Sequence, residues 1–308
     1  MAWWKKEKPP ETVNSGAVIS RTADGLWRKC DGCGEILYAQ EVAKNAEVCP
    51  RCQLHFPISV TNRIAFHFDE GSFRETDAGV RGADPLEFRD SKKYRDRLKA
   101  AEKSVGRKDA IVTGSAWMEG IPVRAGLFDF AFMGGSMGSA VGEKIARLFD
   151  GALAAGLPVV LFSCSGGARM QEGTLSLMQM AKTVQAIARF RAGAAREGVA
   201  RPFVSVLLNP TTGGVAASFS MLGDIIVAEP KALVGFAGPR VIQETLREKL
   251  PPGFQRAEYL LEHGMIDAVV ERRELKTWIA RSLRLLGCTV DPKSVAHRSG
   301  ATASAKTE

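Results

Sequence analysis

Histidine is scarce in this sequence. Only four are present among 308 residues, and none lies between residues 68 and 262. They are His55, His67, His263 and His297. A serine or cysteine hydrolase needs a histidine base beside its nucleophile. Cys164 and Ser165 have no such histidine near them in sequence, although a distant one could fold close. The scarcity therefore disfavours hydrolysis by a catalytic triad.

Long apolar segments are missing as well. The longest weakly polar run, residues 151–162, contains Gly156 and Pro158 and is shorter than a bilayer span. No apolar stretch follows Lys5 and Lys6, so the beginning of the chain does not resemble a signal peptide. Cys164 and Cys288 are isolated thiols, which suits a reducing compartment. We therefore expect a soluble protein located in the cytoplasm, without membrane association.

Two common phosphate-binding motifs are also absent. The chain has neither a GxxxxGK[ST] loop nor a GxGxxG turn after a strand. Its formal net charge is nonetheless +8, and the excess is uneven because nine lysines and arginines fall within residues 89–108. A basic stripe of this kind either attracts phosphates or forms a solvated helix face.

Cysteine is concentrated near the start of the chain, in two CxxC doublets. Cys30 and Cys33 form the first doublet and Cys49 and Cys52 the second, with fifteen residues between them. Two such doublets can place four thiolates tetrahedrally around one Zn²⁺. The spacing predicts a four-cysteine zinc ribbon with one zinc per chain, and the intervening residues 35–48 are long enough for a short hairpin. Disulfides or a redox CxxC remain the alternatives.

The rest of the chain is predicted to form one α/β domain. We predict a flexible N-terminus at residues 1–25, the ribbon at 26–56, the α/β domain at 57–290 and a flexible tail at 291–308. Within the domain, short apolar runs alternate with helical patterns, which indicates a layered α/β fold. The predicted strands are 110–116, 121–126, 128–132, 158–163, 203–208, 225–227 and 233–236. The predicted helices are 139–155, 175–193 and 215–222.

Two turns with paired glycines follow predicted buried strands. Gly166 and Gly167 lie in the first turn, and Gly213 and Gly214 lie in the second. Such pairs let the backbone approach a ligand, and the free N–H groups at a following helix start favour negative charge. The two turns could therefore stabilise a forming oxyanion, or they could be ordinary tight turns between a strand and a helix.

A third glycine-rich segment lies between a predicted strand and a predicted helix. Gly134, Gly135 and Met137 belong to it. It could cradle a phosphate or a pantetheine arm, or it could reflect close packing of the helix on the sheet. Glu172 is the only carboxylate in the first glycine segment, and one carboxylate does not make an acid–base pair.

Several long motifs resemble those of biotin-dependent acyl-CoA carboxyltransferases. The matching segments are 132–138, 142–144, 165–172, 236–242 and 249–254, together with the two CxxC doublets. The resemblance extends over residues 26–287 and is closest to the beta-type subunit that carries a zinc ribbon. One departure is Cys164, where the family pattern has alanine or another small residue.

The resemblance implies a crotonase-like (ClpP/crotonase) fold of repeated ββα units behind the zinc ribbon. It implies transfer of a carboxyl group from biotin on a biotin carboxyl carrier protein to acetyl-CoA, which gives malonyl-CoA for fatty acid synthesis. It also implies an α₂β₂ assembly with a carboxyltransferase alpha subunit, served by a biotin carboxylase. By position, the four cysteines match zinc ligands. Gly166, Gly167, Gly213 and Gly214 match the turns beside the thioester oxygen, and Gly134, Gly135 and Met137 are candidates for contact with CoA.

Two other functions remain open on the sequence alone. A regulatory nucleic-acid-binding protein would account for the ribbon and the positive charge, although the ribbon itself has a balanced charge, and weak nucleic-acid binding through the ribbon is compatible with the first function. A crotonase-type hydratase or hydrolase of acyl-CoA would need a base near the glycine turns, where Glu172 is the only acidic residue.

Overall fold

The computed structural model describes residues 26–199, 201–247 and 249–294. The predicted flexible N-terminus and most of the predicted tail lie outside these residues. The chain divides into two compact units, Met1–Leu54 and His55–Glu308. Each unit is described separately below.

The first unit contains a small hairpin followed by a short helix. Strand β1 (Trp27–Lys29) pairs antiparallel with β2 (Ile36–Tyr38), and α1 covers Ala39–Lys44. The Trp27 and Tyr38 rings lie 5.6 Å apart across this pair. The hairpin thus encloses the first CxxC doublet. The interpretation of residues 35–48 as a hairpin is wrong, because that stretch holds one strand and the helix.

The second unit is built on a mixed β-sheet. Its strand order is β10-β8-β7-β6-β5-β4-β3, and β9 pairs with β7. Strand β4 pairs antiparallel with both β3 and β5, whereas β5, β6, β7, β8 and β10 run parallel. The strands are β3 (Arg74–Thr76), β4 (Ile111–Met118), β5 (Ile121–Phe128), β6 (Val159–Ser165), β7 (Phe203–Thr212), β8 (Ile225–Ala228), β9 (Val234–Gly235) and β10 (Ala268–Val269).

Helices cover both faces of this sheet. Leu161 of β6 points toward Leu148 of α4, since both side chains lie within 3.1 Å of a Cβ built on Gly126. Phe162, the next residue, stacks on His67 of α2 at 4.9 Å on the opposite face. Both faces of β6 are therefore buried, which explains its uninterrupted apolar sequence. The helices are α2 (Val60–His67), α3 (Tyr94–Val105), α4 (Ser139–Ala155), α5 (Thr174–Glu197), α6 (Gly213–Ala216), α7 (Pro239–Leu246), α8 (Ala257–Glu262) and α9 (Arg272–Leu285).

Strands β4 and β5 with helix α4 form one ββα unit. The prediction of α4 is confirmed at both ends, because its apolar face repeats at helical spacing and Gly156 ends it in the left-handed conformation. The predicted strand at residues 128–132 is wrong. Asp129 turns the chain there, since its side chain accepts from Ala131 N at 3.1 Å and its carbonyl accepts from Phe132 N. The predicted helix at 215–222 is two pieces, α6 and a 3₁₀ turn at Phe219–Met221.

Candidate active site

The four cysteine sulfurs of the first unit lie within 4.8 Å of one another. Cys30 Sγ and Cys52 Sγ are 3.6 Å apart, and Cys33 Sγ and Cys49 Sγ are 3.9 Å apart. Four thiolates at a Zn–S distance of about 2.3 Å in a tetrahedron would lie about 3.8 Å apart. All six cysteines of the chain lie in the described residues and are free thiols, so the disulfide alternative is wrong.

Backbone hydrogen bonds shape both doublets in the same way. In the first doublet, Cys30 N donates to Glu35 O and Gly34 N donates to Cys30 O. In the second, Cys49 N donates to Leu54 O and Gln53 N donates to Cys49 O. Burial acts to raise the pKa of Cys49, but backbone hydrogen bonds from Cys52 and Arg51, together with contacts to the thiols of Cys30 and Cys52, lower this pKa to about 7. A thiolate at that position favours a bound cation.

The two glycine turns meet at one edge of the sheet. They follow β6 and β7, which are parallel neighbours, so their carboxyl ends lie side by side. A Cβ on Gly213 would lie 2.9 Å from Gly167 Cα, and a Cβ on Gly167 would lie 3.1 Å from Gly213 Cα. Gly167 has φ +116° and Gly213 has φ +61°. Both positions therefore require glycine, for backbone conformation and for space.

Three of the four predicted glycine amides already have acceptors. Gly166 N donates to Gly134 O at 2.9 Å, and Gly213 N donates to Phe236 O at 2.9 Å. Gly167 N donates to Ser165 Oγ at 3.0 Å. In the described part of the chain, no acceptor is seen for the amides of Gly214 and Ala168. These two amides, and not the whole glycine set, are available to a ligand.

Ala168 owes its free amide to a local parallel pairing that the sequence did not signal. Met137 N donates to Gly167 O at 2.8 Å, and Arg169 N donates to Met137 O at 2.9 Å. This pairing turns the amide of Ala168 to the other side, toward the second glycine turn. Ala168 N lies 3.8 Å from a Cβ built on Gly213, and Gly214 N lies 3.6 Å from a Cβ built on Gly167. The two free amides therefore flank the contact between the turns.

A cleft of about 710 Å³ opens beside the first glycine turn. Gly134, Gly166 and Ala168 form part of its wall, and Lys92 and Arg97 border it from the basic stripe. The third glycine segment is divided: Gly134 faces the cleft, whereas a Cβ on Gly135 would lie 2.1 Å from Cys164 O. Met137 is fully buried in the core. Among the three candidates for CoA contact, only Gly134 lines this cleft.

A buried polar network lies next to the first glycine turn and includes Arg169 and Glu172, which follow that turn in the chain. Arg169 is fully buried and binds Asp109 through two hydrogen bonds, at 2.6 and 3.1 Å. Glu172, with 1% exposure, accepts from Tyr94 Oη at 2.6 Å and from both the amide and hydroxyl of Ser139 at 2.6 and 2.5 Å. Burial raises the pKa of Tyr94, so the phenol keeps the proton that it donates.

Glu172 is therefore a positioning residue, not a catalytic base. Its carboxylate accepts the bonds that hold the start of α4 and the turn containing Arg169 together. Sequence reasoning did not predict this network, because Tyr94 and Asp109 lie far from Glu172 in the chain and no motif links them to it.

We expect Glu172→Gln to lower the free energy of unfolding by about 3–5 kcal/mol, because it leaves Arg169 facing one buried carboxylate fewer and puts an amide against the donors of Tyr94 and Ser139. Urea unfolding followed by circular dichroism measures the change. Glu262→Gln, at an exposed position on α8, is the matched control and should shift stability by less than about 0.5 kcal/mol. Equal stability of the two variants would contradict the positioning role.

No helix in the described residues is long and apolar enough to cross a membrane.

Comparison with known proteins agrees with the motifs. Residues 58–252 match the carboxyl transferase domain, and residues 27–52 match the acetyl-CoA carboxylase zinc finger domain. The acetyl-coenzyme A carboxylase carboxyl transferase subunit beta of Citrifermentans bemidjiense is 54% identical over 93% of this chain and 99% of its own length. These matches favour carboxyl transfer over the nucleic-acid-binding and hydratase alternatives.

Solved structures show the same architecture. Transcarboxylase 12S, with methylmalonyl-coenzyme A and methylmalonic acid bound, is 28% identical over 79% of this chain, with a TM-score of 0.59. This chain spans 43% of the 12S chain, which is less than half of its length. The Pseudomonas malonate decarboxylase MdcD-MdcE hetero-dimer shares the fold, with a TM-score of 0.56 and 22% sequence identity. The match covers 79% of this chain and 95% of the matched decarboxylase chain. The crotonase-like fold is thereby confirmed, and this chain belongs to the family of acetyl-coenzyme A carboxylase carboxyl transferase beta subunits.

Proposed function

We propose that this chain binds acetyl-CoA and carries out the carboxyl transfer that converts it to malonyl-CoA for fatty acid synthesis. The main structural support for this proposal is the contact between the two glycine turns, with the free amides of Ala168 and Gly214 beside it. Relatives named for acetyl-coenzyme A carboxylase, and a 12S structure with an acyl-coenzyme A bound, support the substrate class.

The chemical difficulty is the weak acidity of a thioester α-proton. Its removal leaves negative charge on the thioester oxygen, so the enolate must be stabilised. Two backbone amides aimed at that oxygen contribute on the order of 3 kcal/mol each in a water-poor site. In this chain the amides of Ala168 and Gly214 are placed for that role, and Gly166, Gly167 and Gly213 hold the turns that present them.

A protein base is not needed for the proposed reaction. Carboxybiotin would supply the carboxyl group by breaking its N–carboxyl bond, and the ureido nitrogen freed in that step would take the α-proton while the enolate carbon bonds to the released CO₂. Within the described residues, the cleft wall includes no histidine and a single carboxylate, Asp96. Glu172 is engaged in the buried network. The chain's contribution is to orient acetyl-CoA at near-attack distance and to stabilise the enolate.

The basic stripe is our proposed site for the CoA phosphates. Lys92 is exposed at the cleft and makes no side-chain ion pair in the described residues, whereas Arg97 is paired with Asp90 at 2.5 Å. We expect Lys92→Ala to raise KM for acetyl-CoA or malonyl-CoA about three- to tenfold, with kcat unchanged, because a rim charge contributes to binding alone. Initial rates at low salt measure the effect.

Lys99→Ala is the matched control for that variant. Lys99 lies on α3, which begins two residues after Lys92, and it is exposed and absent from the cleft wall. Equal KM values for the two variants would contradict the placement of the phosphates at this stripe.

A partner subunit is expected because helix α5 exposes an apolar face. Leu177 and Val184, seven residues apart on one side of the helix, are 55% and 38% exposed, and the neighbouring Met178 is 58% exposed. Such a stripe is typical of a protein interface. We propose that it contacts a carboxyltransferase alpha subunit in an α₂β₂ assembly, which receives biotin on a biotin carboxyl carrier protein loaded by a biotin carboxylase. A cytoplasmic location and weak nucleic-acid binding through the ribbon stay predictions.

Co-purification tests the proposal directly. A tagged chain should bring down a second carboxyltransferase chain, and the pair should convert malonyl-CoA and biocytin to acetyl-CoA and carboxybiocytin. The chain alone, incubated with crotonyl-CoA, should show no hydration. Hydration of crotonyl-CoA, or no reverse transfer by the purified pair, would overturn the proposed function.

A further inference from the structure

A second cavity, of about 230 Å³, lies at the carboxyl ends of β6 and β7. Cys164 and Asn209 line it just before the two glycine turns, and Phe130 lines both this cavity and the main cleft. The proposed carboxyl transfer uses none of its charged residues. Carboxyl ends of parallel strands are where open α/β sheets bind ligands.

Two arginines share one carboxylate at this cavity. Arg63 Nη1 donates to Glu229 Oε1 at 2.9 Å, and Arg272 donates to both oxygens of Glu229 at 2.9 and 2.8 Å. The three side chains are 7%, 2% and 4% exposed. No acceptor for Nε or Nη2 of Arg63 is seen in the described part of the chain, and neither atom is among the fully buried unpartnered ones, so both keep some access to solvent. They are therefore available to an acceptor that enters the cavity.

Glu229 is the only carboxylate that pairs with Arg63 among the described residues, and it also accepts from Arg272. Although burial acts to raise the pKa of Glu229, the arginines hold it well below its usual range. Burial raises the pKa of Cys164 to about 12 and lowers the pKa of His67, so both are neutral. Nearby Lys276 and Arg107 are already paired, with Asp69 at 2.9 Å and Asp129 at 3.3 Å. An anion beside Arg63 would therefore meet a guanidinium that shares its only described carboxylate with a second arginine.

His55 provides an independent sign of a missing ligand. It lines the cavity, and its side chain is 5% exposed. Its Nδ1 lies 3.4 Å from Glu229 Oε2, and neither ring nitrogen has a hydrogen-bond partner among the described residues. Buried polar groups are rarely left without partners, so an unpartnered ring aimed at a cavity indicates a ligand.

The remaining wall is apolar. Ile58, Phe128 and Leu208 face the same cavity as the arginines. We propose that this cavity binds a small monocarboxylic acid, with its carboxylate at Arg63 and His55 and a short hydrocarbon body against the apolar wall. The cavity has room for an acid of up to about six carbons, since one water occupies roughly 30 Å³.

Isothermal titration calorimetry on the full zinc-loaded chain tests the site. The probes are sodium bicarbonate, acetate, butyrate and hexanoate, each at constant ionic strength against sodium chloride. We expect affinity to rise about fourfold for each methylene from acetate to butyrate. Arg63→Gln should weaken butyrate binding at least tenfold, because it removes a charged partner of the carboxylate. Lys103→Gln, which removes an exposed charge from α3, should bind butyrate like the parent chain.

A second variant keeps the test decisive, because loss of a buried charge can also destabilise the chain. Ile58→Trp fills the cavity and leaves every charge in place, so it should abolish butyrate binding without changing bound zinc. Binding of butyrate to Ile58→Trp as to the parent chain would overturn the site. Equal affinity for bicarbonate, acetate and hexanoate, or no binding above that of chloride, would overturn the assigned ligand class.

Discussion

Gly167→Val should abolish carboxyl transfer while bound zinc stays at one per chain. Gly167 has φ +116°, which a β-branched residue cannot adopt without strain. Its new Cβ would lie 3.1 Å from Gly213 Cα and 3.4 Å from Thr212 O. The two turns would be forced apart, so the amides of Ala168 and Gly214 would no longer face one oxygen. Loss of a single oxyanion donor costs roughly 10²–10³ in kcat, and both are disturbed here.

The measurement is the rate of the reverse reaction of malonyl-CoA with biocytin, in the presence of the partner subunit. Gly79→Val is the matched control, since no atom lies within 4 Å of a Cβ at Gly79 and its φ is not positive. That control should retain full activity. Normal turnover by Gly167→Val would contradict the proposed role of the glycine turns in stabilising the oxyanion.

Removal of zinc should unfold the ribbon and leave the α/β unit folded. Metal binding and folding are coupled in four-thiolate sites, where the apparent binding free energy is about 10–16 kcal/mol. All four ligand positions are cysteines, so no open position is left for substrate. We therefore expect a structural zinc, and a loss of activity through impaired assembly or access of CoA rather than through the chemical step.

The test compares Cys49→Ser with Cys288→Ser. The first removes a ligand that lies 3.9 Å from Cys33 Sγ, and the second removes an isolated thiol outside the ribbon. Metal analysis should find zinc absent from Cys49→Ser and unchanged in Cys288→Ser, and Trp27 fluorescence should report the unfolded ribbon. A stable and fully active zinc-free chain would show that the metal has neither role.

Local sequence features predicted a large part of the fold. Helix α4 follows from an apolar face at helical spacing and from Gly156, which stops the helix. The zinc ligands follow from two short turns whose geometry depends on three or four residues each. The predicted strand at residues 128–132 was wrong because Asp129 organises a turn there, with Phe128 and Phe132 buried and Phe130 exposed. Periodicity alone cannot distinguish such a turn from a strand.

Which backbone groups face the substrate depended on long-range contacts. The sequence indicated the glycine turns by composition, but Gly166, Gly167 and Gly213 were found to donate elsewhere. The free amide of Ala168 results from its pairing with Met137, thirty-one residues earlier in the chain. The buried network of Asp109, Arg169 and Glu172 likewise joins segments that no motif connects.

The sequence by itself determined the family and the cysteine cluster that fits zinc, because these depend on residue type and on spacing within a few residues. Tertiary structure alone decided which two amides are free, which side of the basic stripe meets the cleft, and that Arg63, Glu229 and Arg272 converge around a cavity. Sheet register and helix packing set those distances, and both arise from contacts between residues far apart in the chain.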